Sequence, residues 1–261
     1  MKTVFLDTST INEIHDNGFK PNENNFIFYV GPYVTYELSK AKKRRESLFK
    51  LITTLKPFYL CQRAHLYKQE VNHLIYGESL AYTAGPLLKE AYDKRMSNPA
   101  LIDQSEFRNF IEQREEGIRL FRDNNYQNLR KHKLPNFNEF KQQFFSREDL
   151  VKIVYEWIYH TIKSTKERWH VEKILHNINS LPAHRTLINT RLYLYYLALK
   201  NGAIPARNRF ADSLQLIEAS HSSVFASNDK NLLKIVPHIN PDIELMTFQD
   251  GVLIPVKTTA S

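Results

Sequence analysis

Cysteine and glycine are scarce in this chain: one Cys, Cys61, and seven Gly among 261 residues. A single thiol cannot close an internal disulfide, so a packed core must hold the fold, and a reducing, cytoplasmic setting is expected. The glycine-rich loops that cradle nucleotide phosphates, GxxxxGK[ST] and GxGxxG, are missing, and no GxSxG elbow marks a serine hydrolase. Long apolar runs are missing too. The best stretch, residues 150–162, carries Lys152, Glu156 and His160, whereas a spanning helix needs ~18 uninterrupted apolar residues. No membrane association is expected. The N-terminal MKTVFLDTST is too short and too polar in its apolar part for a signal peptide. Ten histidines invite a zinc reading, but His65 with His73, or His170 with His176, lack the i, i+4 spacing of an HExxH helix.

What is present is ordinary globular material, 42% hydrophobic and 25% charged, with an aromatic share of 12%. The net charge of +8 is unevenly placed. Residues 40–209 hold 31 Lys/Arg against 17 Asp/Glu, a balance of +14, and the two flanks together stand at −6. A basic surface around acidic ends suits an enzyme acting on a phosphate polymer, because the first attracts the polyanion and the second holds cations. A Lys-rich solvated helical region has the same composition.

The flanks alternate strand and helix signals. Residues 3–6 form an apolar β-prone run ending at Asp7, followed by a brief helix over 11–15 capped by Ser9 or Thr10. Residues 26–30 are a second strand. A helix from about Tyr33 follows, with Val34, Leu38, Ala41, Leu48, Ile52 and Leu55 near helical spacing. The pattern resumes near Phe210: a helix opened by Asp212, a strand over 224–227 leading to Asp229, a helix over 232–236 closed by Pro237, and strands over 243–248 and 252–256. Between them, periodicity is helical: Ile111, Ile118 and Phe121 in one segment, Val151 to Ile162 in a second opened by Ser146, and Leu187 to Leu199 in a third stopped by Asn201-Gly202. The expected architecture is an α/β domain with a parallel sheet formed by both chain termini, residues 1–61 and 201–261, carrying a basic α-helical insertion over 62–200. The Tyr193, Tyr195, Tyr196 cluster alternates with leucines and reads as core before it reads as a base-stacking platform.

Four acids stand at the landmarks. Asp7 and Asp229 end probable strands just before helices, the edge of an open α/β sheet where ligands bind. Glu37 lies a turn into the second helix, and Asp212 opens a later one. Carboxylate oxygens are the natural ligands of Mg²⁺ or Mn²⁺, and such ions activate water and stabilise charge on a phosphate under attack. Each acid also has a local explanation. Asp is a favoured N-cap worth ~1 kcal/mol, and Glu37 could pair with neighbouring lysines.

The segments VFLDTSTI, YVTYEL, FADSLQLIEAS and VFASNDKNLLK, in this order, resemble the acidic motifs of PIN-domain nucleases. The resemblance implies a PIN-like parallel sheet flanked by helices. It implies that Asp7, Glu37, Asp212 and Asp229 are the catalytic and metal-binding residues, holding Mg²⁺ or Mn²⁺, with Ser227 as the small hydroxyl residue near the last acid. It also implies hydrolysis of single-stranded RNA by a metal-activated water. The matching segments span about a third of the chain, and the central region is far longer than the few helices a compact PIN domain places there. Beside the acids, Lys40, Lys43 and Arg44 of the KAKKRR run, read as continuing the Glu37 helix, and Arg207 and Arg209 before Asp212 are candidates for phosphate contact. The expected partner is nucleic acid, RNA before DNA, with room for an inhibitory protein partner or a homo-oligomer. The rival readings are a structure-specific DNA nuclease and a catalytically silent PIN-like RNA-binding or scaffold protein.

Overall fold

The computed structural model describes residues 1–20, 26–98, 105–129, 134–145 and 168–256. The strands are β1 Lys2–Leu6, β2 Phe26–Val30, β3 Phe58–Tyr59, β4 Val224–Ala226, β5 Glu244–Gln249 and β6 Val252–Pro255. The helices are α1 Thr8–Asn17, α2 Pro32–Ser39, α3 Arg45–Leu55, α4 Arg63–Tyr76, α5 Pro86–Ser97, α6 Ser105–Leu129, α7 Phe137–Phe145, α8 Arg168–His176, α9 Pro182–Asn201, α10 Arg207–Glu218 and α11 Lys230–Ile239. The fold is mixed α/β, as expected. One sheet runs in the order β3-β2-β1-β4-β5-β6, parallel throughout except for the antiparallel β5–β6 pair. Among the described residues no helix is long and apolar enough to cross a membrane.

The sheet is covered on both faces. Side chains alternate between faces along a strand, yet Val4, Phe5 and Leu6 are all fully buried, as are Val224, Phe225 and Ala226. That explains why these strands read as unbroken apolar runs rather than alternating ones. Ile11, Ile14, Leu48, Ile52, Leu232 and Val236 seat α1, α3 and α11 on the sheet. A second core forms among the helices, with Ile118, Phe140, Ile174, Leu192, Tyr195 and Phe210. Tyr195 and Tyr196 are buried there, the core role the spacing favoured. Helix α5 adds Tyr92 and Met96 to the sheet's core, although it lies within residues 62–200.

Several boundaries differ from the sequence reading. The single helix expected from Tyr33 to Leu55 is two, α2 and α3, separated at Lys40–Arg44. Lys40, Lys42, Lys43, Arg44 and Arg45 would repel one another at i, i+3 and i, i+4 on one helix, and a turn relieves that. The KAKKRR run therefore does not continue the Glu37 helix. Helix α1 is capped by Asp7, whose side chain accepts from Thr10 N–H, rather than by Ser9 or Thr10. Helix α11 runs through Pro237 to Ile239. Helix α10 begins at Arg207, so Asp212 lies in its second turn and does not open it. The helix expected over 151–162, with Ser146, lies outside the described residues.

Candidate active site

Parallel pairing of β1 with β4, with Leu6 opposite Ala226, places the two following residues side by side despite a separation of 220 in sequence. Asp7 and Ser227 then meet at the carboxyl edge of the sheet, and Ser227 Oγ donates to Asp7 Oδ2 at 2.6 Å. Thr10 N–H donates to Asp7 Oδ1 at 2.7 Å, and Ser9 Oγ donates to the same carboxylate at 2.9 Å. Ser9 Oγ also accepts from Asn228 N–H at 2.7 Å and Asp229 N–H at 3.2 Å. One hydroxyl thus ties the β1–α1 turn to the β4–α11 turn. Asp7 is buried, and burial pushes its pKa up to about 6 in spite of these donors.

Glu37 reaches the same edge from the second turn of α2. Thr8 Oγ1 donates to its Oε2 at 2.6 Å and Gln215 Nε2 at 2.9 Å, so α1, α2 and α10 converge on one carboxylate. Burial and then Glu37 drive the Tyr33 hydroxyl upward from its ordinary pKa, which keeps it protonated as a donor to Glu37. The start of α2 is set by Glu218 at the end of α10. Both its oxygens accept from Tyr33 N–H, at 3.0 and 3.1 Å. Gly31 makes this approach feasible: a Cβ there would stand 2.0 Å from Glu218 Oε2.

Asp212 differs from the other acids. Asp7 and Asp229 both cap helices, Asp229 through Oδ1 accepting from Asn231 N–H at 2.7 Å and Leu232 N–H at 3.2 Å. Asp212 caps nothing. Its carboxylate is 14% exposed, with Arg209 Nη1 at 3.3 Å from Oδ2. Burial raises its pKa to about 7, Arg209 opposes that rise, and the nearby negative charges of Asp229 and Glu37 reinforce it. The structure thus brings Asp212, Asp229 and Glu37 within electrostatic reach of one another, with Asp7 hydrogen-bonded into the same edge through Ser9 and Ser227.

The donor set suits a hard cation in its chemistry. Asp212 Oδ1 and Asp229 Oδ2 accept no hydrogen bond from the described residues, and Gln215 Oε1, on the amide that holds Glu37, is buried without a partner. Turning the Gln215 amide over would aim that oxygen at Glu37, so the orphan is not removed by a flip. The positions are looser than a formed metal site. Among the described residues, no group of three or more His, Cys, Asp or Glu is arranged to hold a metal ion.

The proposed phosphate contacts are distributed unevenly. Arg209 lies in the site, as does Ser227, the expected small hydroxyl residue, which bonds Asp7. Arg207 projects to α6, where Glu115 is 3.2 Å and Glu112 3.8 Å away. Arg44 pairs with Asp16 and His15, Lys40 lies 3.8 Å over the Tyr36 ring, and Lys43 is exposed on the turn. Sequence reasoning missed Thr8, Ser9, Gln215, Tyr33 and Glu218. A usable signal existed for Gln215, which falls three residues after Asp212 and hence on the same helix face. Comparison of the chain with known protein families, curated proteins and solved structures found no match.

Proposed function

We propose that the protein is a Mg²⁺- or Mn²⁺-dependent nuclease of PIN-like type that hydrolyses phosphodiester bonds in single-stranded RNA. The observation that carries this reading is Asp212: a half-buried carboxylate inside a helix, with no capping task, kept near Asp229 and Glu37 at the carboxyl edge of a parallel sheet. Undercompensated acids in such a place are what a functional site requires and what stability alone disfavours. Asp7, Glu37, Asp212 and Asp229 would hold the ions, with the Gln215 carbonyl beside them. A divalent ion bound there supplies a more acidic water and neutralises charge on the phosphate. The protein's own groups orient the acids: Ser227 and Ser9 fix Asp7, Thr8 and Gln215 fix Glu37, and Arg209 offers a cation at the rim. The +14 balance of residues 40–209 supports attraction of a polyanion.

The internal pairing of these acids favours a second reading, a PIN-like protein that binds RNA or serves as a scaffold without cutting it. Incubation of the purified protein with end-labelled single-stranded RNA, with and without Mn²⁺, separates the two. Metal-stimulated cleavage, lost at least a hundredfold in Asp212→Asn, is the expected result for the enzyme. Salt-sensitive binding with no cleavage at any Mn²⁺ concentration identifies the binding protein, and equal cleavage by wild type and Asp212→Asn overturns the site.

A further inference from the structure

Helix α10 aligns Arg209, Asp212 and Gln215 at successive i, i+3 positions, which share one face. Arg209 sits in the first turn, where its N–H donates to Ala206 O at 2.9 Å. Its side chain lines a narrow cleft between α9, α10 and α11, walled by Tyr193, Leu194, Leu216, Ile235 and Ile239. That wall is largely apolar. The guanidinium has five N–H donors, yet among the described residues it makes one polar contact, the 3.3 Å bond from Nη1 to Asp212 Oδ2. A bidentate fork is the strong form of this interaction, and this is the weak form: long and one-pronged. Asp212 has no other hydrogen-bond or ion-pair partner among the described residues.

We infer that Arg209 is a displaceable internal counter-ion. It offsets part of the negative charge of the Asp212–Asp229–Glu37 cluster when no divalent cation is bound and competes with that cation for Asp212. A cation on the open Oδ1 and the guanidinium on Oδ2 draw on the same carboxylate charge, so Arg209 raises the concentration at which the site fills. The inference rests on the metal-site reading above. The geometry suits the task. The contact is too weak to exclude a divalent ion, and the apolar walls give the guanidinium no rival carboxylate among the described residues of the cleft.

The test is Mn²⁺ binding followed by titration calorimetry, without nucleic acid, on wild type, Arg209→Gln and Arg119→Gln. Arg119 is a surface residue on α6 paired with Glu115 and Glu116, and its substitution controls for losing one positive charge anywhere. The expected result is Mn²⁺ binding tightened about fivefold in Arg209→Gln, since a partly exposed ion pair is a modest competitor, and unchanged in Arg119→Gln. Thermal unfolding adds a second readout. Metal-free Arg209→Gln should melt below wild type, and saturating Mn²⁺ should close the gap. Equal Mn²⁺ affinity in wild type and Arg209→Gln overturns the inference while leaving the metal site standing, and an equal gain in both variants overturns it in favour of bulk charge. Binding by Arg209→Gln alone supports it in its strongest form. No binding by any of the three removes the metal-site reading and the inference together.

Discussion

Two acid clusters in this molecule behave in opposite ways. At the junction of α4 and α9, Glu70 is fully enclosed, yet both oxygens are matched. His184 Nδ1 lies 2.6 Å from Oε2, His221 Nε2 lies 2.8 Å from Oε1, and the Ala183 and His184 N–H groups donate at 2.6 and 3.0 Å. The His221 contact has ion-pair distance without hydrogen-bond alignment, and Tyr82 stacks on that ring with centroids 3.9 Å apart. Burial would raise the Glu70 pKa, but the two histidines overcome it and hold the carboxyl at about 2. At the sheet edge, burial prevails for both aspartates: Asp7 stands near 6 and Asp212 near 7. The difference is the supply of close partners: two histidines and two backbone N–H groups on Glu70, one long arginine contact on Asp212. A compensated buried acid fastens one element to another, whereas an undercompensated one costs stability and has to be explained by what it binds.

The sharpest way to break this contrast is to remove each acid in turn. Glu70→Ala would strip both histidines and the first turn of α9 of their shared acceptor. The expected loss is about 3–5 kcal/mol in urea unfolding, the cost of breaking a buried pair by removing one partner. A loss near zero would show that the cluster fastens nothing.

Asp212→Asn should act with the opposite sign in metal-free protein. A carboxyl raised from 3.8 to about 7 on folding opposes folding at pH 8, by on the order of 4 kcal/mol before relaxation. The variant should therefore be more stable than wild type at pH 8 and converge with it as pH falls below the unfolded value of 3.8. For wild type the sign follows from the same shifts. With folded pKa values above the unfolded ones, Asp7 and Asp212 make the protein more stable as pH falls from 8 toward 5. Glu70, with a depressed folded pKa, makes it less stable as pH falls from about 4.5 toward 2. Metal-free thermal midpoints should thus peak in mild acid, and a flat profile from pH 8 to 5 would sink the claim that the sheet-edge acids are undercompensated.

The smallest expected effect is at Gly31. A Cβ at 2.0 Å from Glu218 Oε2 must push that carboxylate off the Tyr33 N–H. Gly31→Ala should cost about 1–3 kcal/mol by overpacking and should impair any activity depending on Glu37. Unaltered stability would mean that the start of α2 is set by Pro32 alone.

Much of this site could be read from the chain, and the exceptions have physical causes. Asp7 and Asp229 were legible because an apolar run, an Asp and a helical period leave one place for a turn at a strand end. The boundary of α10 was not, since Asp212 resembles an N-cap until the helix is seen to start at Arg207. The KAKKRR break was missed because apolar spacing ran through it, while the mutual repulsion of five cations decided against helix. Glu70 and Glu218 gave no local signal. Each is an acid on a helix whose partners lie more than 110 residues away in sequence.

By itself the sequence determined the elements: apolar runs long enough for buried parallel strands, helices with recognisable stops at Gly18 and Gly202, and acids at the strand ends. Those depend on interactions among near neighbours, which spacing records. Only the tertiary structure decided which acids meet, that Ser9 ties two turns together, that Arg209 faces Asp212 with a single prong, and that Glu70 is satisfied while Asp212 is not. The reason is that a carboxylate's charge state depends on its partners and its access to water, and both are set by chain segments that sequence order keeps far apart.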